Sequence, residues 1–519
     1  MPFSLSLHIF LNGNDMKKNL LWMLAAVLTC GLFMMSCAAH EDNPGSPTYP
    51  EEPQYPANFD VFATLPGNAG DPAVVAALKT LENVEDLKPF MNVNLGQAYY
   101  FNYKQLVDHN DPSKGTFKQQ VVLTFVSKDA PTILHTQGYA LTLAQEGHNH
   151  NRLDSIGAPS LLWALSKNGD NDVFDLNSVQ VEYRYHGFSL PEGETNSFKY
   201  LSAEQQSKDL HAIVTDLKKA LFTGGGKWLS TGVSKNGMTT AQYAYYDEQN
   251  GWNDIDVYVP FVAPIPPVEF DLRIGTYMLT QSSKAVQADL EKAYRKLVDD
   301  KAIVDATIKA YIKKFKLEGK EATGINCYAV ATAAIGNLFS VQSYGDIDTW
   351  KKFIPTENST PEEYATFFML DDNDDRIYRK TNNRRAAAER QDPFVAQIGI
   401  DQGNLGYDFT WLLDGKLLSD AEKQSLKKQM EDCKNSKPID LEVKLIENLK
   451  TTKKRLVFVY GENDPWTGAA IPDPTNPNVK KYTVPNGTHT DNFAQYAWYP
   501  GGKEVADQIL ADIKAWMNQ

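Results

Sequence analysis

From about residue 118 the chain alternates short apolar runs with amphipathic stretches. "QQVVLTFVSK", "PTILHTQ" and "SVQVEYRY" combine β-branched and aromatic residues between turn formers, which predicts strands. "SAEQQSKDLHAIVTDLKKALF" (202–222) sets Leu210, Ile213, Val214, Leu217 and Leu221 on one helical face. Ser202 is its predicted N-cap, with Gln205 three residues on. "KWLSTGV" reads as a strand, the stretch after Ser234 as a helix, and "IDVYVPFVAP" as a strand buried on both faces. Such alternation implies a mostly parallel sheet with helices on both faces. From about 280 to 450 the pattern turns helical, as in "SKAVQADLEKAYRKLVDDKAIVDATIKAYIKKF" and "DAEKQSLKKQMEDC". Strand patterns return in "RLVFVYGENDPW" and "VKKYTVPNGTHTDNF", and "KEVADQILADIKAWMN" closes with a helix.

The N-terminal pattern is of another kind. "MKKNLLWMLAAVLTCGLFMMSC" opens at Met16 with two lysines, runs through an apolar stretch and ends at Ser36-Cys37. This is a signal-peptide pattern, too short for a membrane span and without a stop-transfer flank. The small residue before Cys37 resembles a bacterial lipobox, and Cys37 is the expected lipidation site. A plain secretory signal with an incidental cysteine is the alternative. Residues 1–15 fit no export signal, so Met16 is the expected start, and residues 1–37 form the leader. The Pro-, Glu- and Asp-rich stretch 38–60 reads as an extended tether. The expected location is the outer membrane of a Gram-negative-type cell, on its periplasmic side or its surface. With Cys30 and Cys37 assigned to the leader and its lipid, Cys327 and Cys433 remain, and a bridge or two buried thiols fit equally well.

Composition narrows the function. The 519 residues are 42% hydrophobic, ample for a large core, and carry a formal charge of −14. That acidity argues against nucleic-acid partners, whose phosphates need a basic face. Contact with a membrane is expected only through the N-terminal lipid.

"KWLSTGVSKNGMTT" supplies in order a strand, a Gly-x-Ser and a helix, which is what the nucleophile turn of an α/β-hydrolase fold requires. Gly232 gives the small neighbour before Ser234. After it, Asn236 stands where a glycine is usual, with Gly237 beyond, and Asn tolerates positive φ. This fold presents nucleophile, acid and histidine in that chain order. Eight of the nine histidines precede Ser234, and His489 alone follows it. It lies in the turn-rich "VPNGTHTDNF". Asp464, just beyond the strand in "LVFVYGENDPWTG", is the favoured acid, with Glu462 and Asp491 as competitors. Lys235 N–H is an expected oxyanion donor, and the loop "ILHTQGYAL" offers Gly138 and Tyr139 for the second. His148 and His150 in "EGHNH" have a metal-compatible spacing, but only Glu146 accompanies them. "LDDNDDR" (370–376) lacks the glycine and terminal glutamate of an EF-hand loop. Both read as solvated loops, so no metal or organic cofactor is expected.

Together "VEYRYHGFSLP" (181–191), "WLSTGVSKNGMT", "VPFVAPI", "GENDPW" and "NGTHTD" resemble the secreted tripeptidyl aminopeptidase family of serine peptidases. These are cousins of the lysosomal Pro-Xaa carboxypeptidases and dipeptidyl peptidases, and the resemblance covers roughly residues 90–517. It implies an α/β-hydrolase core in two parts, 61–267 and 451–519, with a helical cap over 268–450. It also implies release of tri- or dipeptides from free N-termini through an acyl-enzyme. Carried over, Ser234 is the nucleophile, Asp464 the acid and His489 the base, and Arg184, Tyr185, Gly187 and Ser189 form a structural element near the site. Relatives carry a cap Glu near a Gly-Tyr pair for the substrate amine. Here "DQGNLGYDF" has Asn404 before Leu405-Gly406-Tyr407, which makes Asn404, Tyr407 and the substitute Asp401 candidate substrate contacts. An esterase on the same fold, or a catalytically impaired peptide-binding lipoprotein, are the rival readings, the second motivated by Asn236 and Asn404.

Overall fold

The computed structural model describes residues 67–92, 96–138, 141, 161, 164–165, 176–186, 188–191, 199–282, 284–344, 347–370, 413–491 and 493–519. Cys37, Tyr139, His148, His150, Gly187, Asp401, Asn404 and Tyr407 lie outside these residues, as does the acidic run after Leu370.

Among the described residues nine strands form one sheet: β1 (Val84–Asn92), β2 (Gly96–Leu106), β3 (Thr116–Thr124), β4 (Thr132–Thr136), β5 (Asn177–Val181), β6 (Trp228–Val233), β7 (Val257–Phe261), β8 (Arg455–Gly461) and β9 (Val479–Val484). Their order is β1-β2-β3-β5-β4-β6-β7-β8-β9. The ladders from β5 to β9 are parallel, and those joining β1, β2, β3 and β5 are antiparallel. β1 and β2 extend the sheet beyond the expected alternation. β1 is an edge strand whose ladder slips between Glu85 and Lys88, with Asp86 at φ 54° and Pro89 in the run. A proline and an irregular ladder are tolerated at an edge, and they hide the strand's period.

The central strands show why the apolar runs are continuous. On β8, Leu456, Phe458 and Tyr460 enter one core layer and Val457 and Val459 the other. The first layer takes helix α2 (Ala203–Ala220) through Leu210, Ile213, Val214 and Leu217, and helix α3 (Lys235–Asn250) through Met238 and Tyr243. The second takes the C-terminal helix through Ile509 and Ile513. A short α1 (Pro72–Lys79) adds Val74 and Leu78 to the first layer. Ser202 Oγ accepts from Gln205 N–H at 3.2 Å, the expected cap. The Gln205 side chain does not return to the cap; its Nε2 donates to Asp108 at 2.7 Å and its Oε1 accepts from His109 N–H.

The described residues between β7 and β8 are mostly helical: α4 (Leu272–Tyr277), α5 (Gln287–Asp299), α6 (Lys301–Lys314), α7 (Cys327–Tyr344), α8 (Pro361–Phe368), α9 (Asp420–Lys434) and α10 (Asp440–Asn448), with α11 (Gly502–Met517) following β9. Helices α4 to α9 share an apolar cluster that includes Leu297, Ile335, Phe339 and Phe368. The chain leaves and rejoins the sheet side by side: Glu269 N–H donates to Lys437 O, and Ile439 N–H to Pro267 O, both at 2.9 Å. Cys327 and Cys433 are free, buried thiols rather than a bridge. Burial pushes the Cys327 thiol up to about 12, so it stays protonated and inert. No helix among the described residues is long and apolar enough to cross a membrane.

"SVQVEYRY" gives a shorter strand than expected. It ends at Val181 because the next residues turn into a buried polar network. Arg184 uses all five guanidinium N–H groups: two to Asp209, two to the carbonyls of Val107 and Tyr200, and one to Leu106 O, at 2.7–3.0 Å. Both partners of that ion pair are fully buried. Tyr185 takes φ 66°, and its N–H donates to Ser189 O at 2.8 Å. The segment is thus a knot of structure joining the ends of β2 and β5 to α2.

One buried acid has too few partners. Glu442 on α10 accepts from Gln242 Nε2 on α3 at 2.8 Å, and its second oxygen has no partner. Burial pushes its carboxyl up to about 7, so the folded state holds a proton that the unfolded chain releases near 4.5. Stability on this account is greatest below pH 4.5 and falls as pH rises to 7. Glu442→Gln is expected to raise unfolding free energy at pH 8 by at most on the order of 3 kcal/mol and to change nothing near pH 4.5. Urea unfolding at the two pH values measures this, and equal effects at both would contradict it.

Candidate active site

The central strand β6 ends at Val233, and Ser234 turns the chain into α3 with φ 60° and ψ −126°. A non-glycine residue held there costs roughly 1–3 kcal/mol and persists only where its surroundings over-determine it. They do so here. Ser234 N–H donates to Phe261 O on β7, and Ser234 O accepts from Met238 N–H, both at 2.9 Å. A Cβ on Gly232 would stand 2.4 Å from Asn236 O, and one on Gly237 would stand 2.7 Å from Phe261 O. The strained residue is therefore Ser234, and Asn236 is not asked to take positive φ as the sequence suggested. Asn236 sits in the first turn of α3, and Gly237 supplies the small neighbour.

The other two groups come from the ends of the next strands. Asp464 follows β8 and caps a short turn, its Oδ1 accepting from Trp466 N–H at 3.0 Å. His489 follows β9. The two loops interlock: Asn463 N–H donates to Gly487 O at 2.8 Å, and a Cβ on Gly461 would lie 2.5 Å from that same oxygen. His489 Nδ1 lies 2.8 Å from Asp464 Oδ2, and His489 Nε2 lies 2.8 Å from Ser234 Oγ. Asp464 and His489 are buried, while Ser234 is half-buried. The competing acids hold the loops instead. Glu462 accepts from Asn486 N–H at 3.0 Å, and Asp491 accepts from Thr488 N–H and Tyr499 OH at 2.7 and 2.6 Å. Trp466 packs between Phe339 of α7 and His489, with ring centroids 5.2 and 6.0 Å away, so the helical insertion reaches the imidazole.

The expected oxyanion donors need one correction. Gly138 N–H donates to Asn236 Oδ1 at 2.6 Å and is already engaged. Lys235 is the first residue of α3, directly after Ser234. Sequence reasoning missed Asn236 as the acceptor that holds Gly138 N–H, and also missed Thr136 and Glu182. Thr136 Oγ1 bonds the carbonyls of Thr231 and Asn236 at 3.1 and 2.9 Å, tying β4 to the Ser234 turn. Glu182 is buried beside Ser189, and burial pushes its carboxyl up to about 8 against the hydrogen bonds it accepts.

A strained serine between strand and helix, with an imidazole and a carboxylate in line behind it, can deprotonate the hydroxyl for attack on a carbonyl. The frame is that of the α/β hydrolases, with the polar groups gathered at the carboxyl ends of parallel strands. The family described as PS-10 peptidase S37 matches residues 79–311. Over 414 residues, 78% of either chain, the sequence is 25% identical to the prolyl tri/tetrapeptidyl aminopeptidase of Streptomyces mobaraensis. The chain is thus similar to serine peptidases of the S37 family. Among solved structures it is similar to the proline iminopeptidase of Mycobacterium smegmatis, at 13% identity and a TM-score of 0.34, covering 80% of this chain and 98% of that one. It is also similar to a bromoperoxidase from Bacillus anthracis, at 11% and 0.31, covering 80% and 99%.

Proposed function

We propose that the protein is an aminopeptidase that releases tri- or dipeptides from free N-termini, with Ser234, His489 and Asp464 as its triad. The observation that carries this reading is the pair of 2.8 Å contacts linking the serine, imidazole and carboxylate in series. His489 Nε2 takes the Ser234 proton as Oγ attacks the scissile carbonyl. Asp464 accepts from His489 Nδ1–H, which fixes the tautomer and stabilises the imidazolium. The tetrahedral oxyanion is met by backbone donors including Lys235 N–H. Collapse expels the new N-terminus with the proton from His489, and water then resolves the acyl-enzyme by the same path. Family resemblance supports Asp401, Asn404 and Tyr407 as holders of the substrate amine.

Mass spectrometry of products from a mixed peptide set tests specificity. Peptides with free ends should lose N-terminal tri- or dipeptides, and their acetylated counterparts should survive. Equal cleavage of both, or hydrolysis of aryl esters alone, would contradict the exopeptidase reading.

A further inference from the structure

The loop after β4 is bonded on both sides of residues 139–140, which lie outside the described residues. Before them, Gly138 N–H donates to Asn236 Oδ1 at 2.6 Å, and Asn236 Nδ2 donates to Gln137 Oε1 at 3.2 Å. After them, Leu141 N–H donates to Glu182 Oε1 at 2.7 Å. The other Glu182 oxygen is fixed by Phe188 N–H, Ser189 N–H and Ser189 Oγ at 3.0, 2.9 and 2.7 Å.

The loop also packs directly on the residue after the nucleophile. A Cβ on Gly138 would lie 2.6 Å from Lys235 Cγ, so only glycine lets the loop backbone and the Lys235 stem meet. Asn236 belongs to the first turn of the helix that Ser234 opens, and its backbone carbonyl is held by Thr136 Oγ1 at 2.9 Å. The side-chain bonds given above for Gln137 and Gly138 therefore run to Asn236, in the first turn after the nucleophile. Preorganised backbone dipoles act on developing charge only when their positions are fixed before reaction.

We propose that Asn236 and Glu182 are positioning residues for acyl transfer, anchoring the chain after β4 at Gly138 and Leu141, next to the Ser234–Lys235 turn where the oxyanion develops. The proposal rests on the reading of Ser234 as nucleophile. It makes an unusual demand of the sequence. Asn236→Gly restores the Gly-x-Ser-x-Gly pattern usual for this turn, yet it deprives Gly138 N–H of its acceptor.

The test is steady-state kinetics on an unblocked tripeptide p-nitroanilide, with the affinity for a tripeptide aldehyde and the thermal midpoint measured beside it. Asn236→Gly should lower kcat about 10- to 100-fold, a loss expected of a misplaced loop rather than a removed nucleophile. KM should stay within about twofold, and the aldehyde, which forms a tetrahedral adduct, should bind more weakly by a similar factor. Glu182→Gln should move the same quantities in the same direction. The double variant should lose less than the product of the two single losses, because both act on one loop. Asn236→Gly with wild-type kcat would overturn the proposal, as would a loss confined to KM or to the thermal midpoint with aldehyde affinity intact. If Asn236→Gly does not fold, Glu182→Gln alone decides by the same criteria. A wild-type protein whose Ser234 resists fluorophosphonates would instead defeat the nucleophile reading itself.

Discussion

Ser234→Ala is expected to lower kcat by about 10⁵- to 10⁶-fold, the scale on which removal of a catalytic serine acts in other triads. The hydroxyl is the only group this variant removes. The fixed turn, with Ser234 N–H on Phe261 O and Gly232 and Gly237 packed against their neighbours, does not depend on Oγ. Folding should therefore be unchanged, and KM should move little because Oγ contributes its energy in the transition state. The residual rate, from backbone donors and substrate positioning, should still exceed the uncatalysed one. Kinetics on an unblocked peptide amide, with circular dichroism as a control, measure this. A loss below about tenfold would remove Ser234 from the mechanism.

Asp464→Asn should cost about 10⁴-fold in kcat with the geometry retained. The reason lies in the second bond of this carboxylate. Its Oδ1 accepts from Trp466 N–H, so an asparagine would keep its carbonyl oxygen there and turn its amide nitrogen toward His489 Nδ1. That donor forces the proton onto Nε2, which then faces Ser234 Oγ as a donor and cannot take its proton. The loss should persist at the pH of maximal activity, because it comes from the wrong tautomer rather than from a shifted titration. A variant that recovers full activity at higher pH would contradict this account.

The sheet was legible where burial is two-sided. β6, β7 and β8 bury nearly every residue, so their apolar runs stand out, whereas β1, an irregular edge with a proline, left no period to read. The three residues that the two 2.8 Å contacts bring together could be proposed from sequence because the fold's chain order left one histidine after Ser234. What surrounds them was not legible. Gly138 and Asn236 are 98 residues apart, and their bond depends on how β4 packs beside β6. An asparagine where glycine is usual therefore read as a defect in the turn, when its side chain is the acceptor for the neighbouring loop. Glu182 was equally hidden, since Tyr183 and Tyr185 beside it are also buried and the stretch looks like a continuing strand.

The most direct measurement is peptide mapping after treatment with a fluorophosphonate, which reacts with a serine only when a base activates it and the leaving group is in line. The wild-type chain should carry one adduct, on Ser234, lost in Ser234→Ala and formed far more slowly in Asp464→Asn. No adduct on the wild type, or one on another serine that survives Ser234→Ala, would contradict the account.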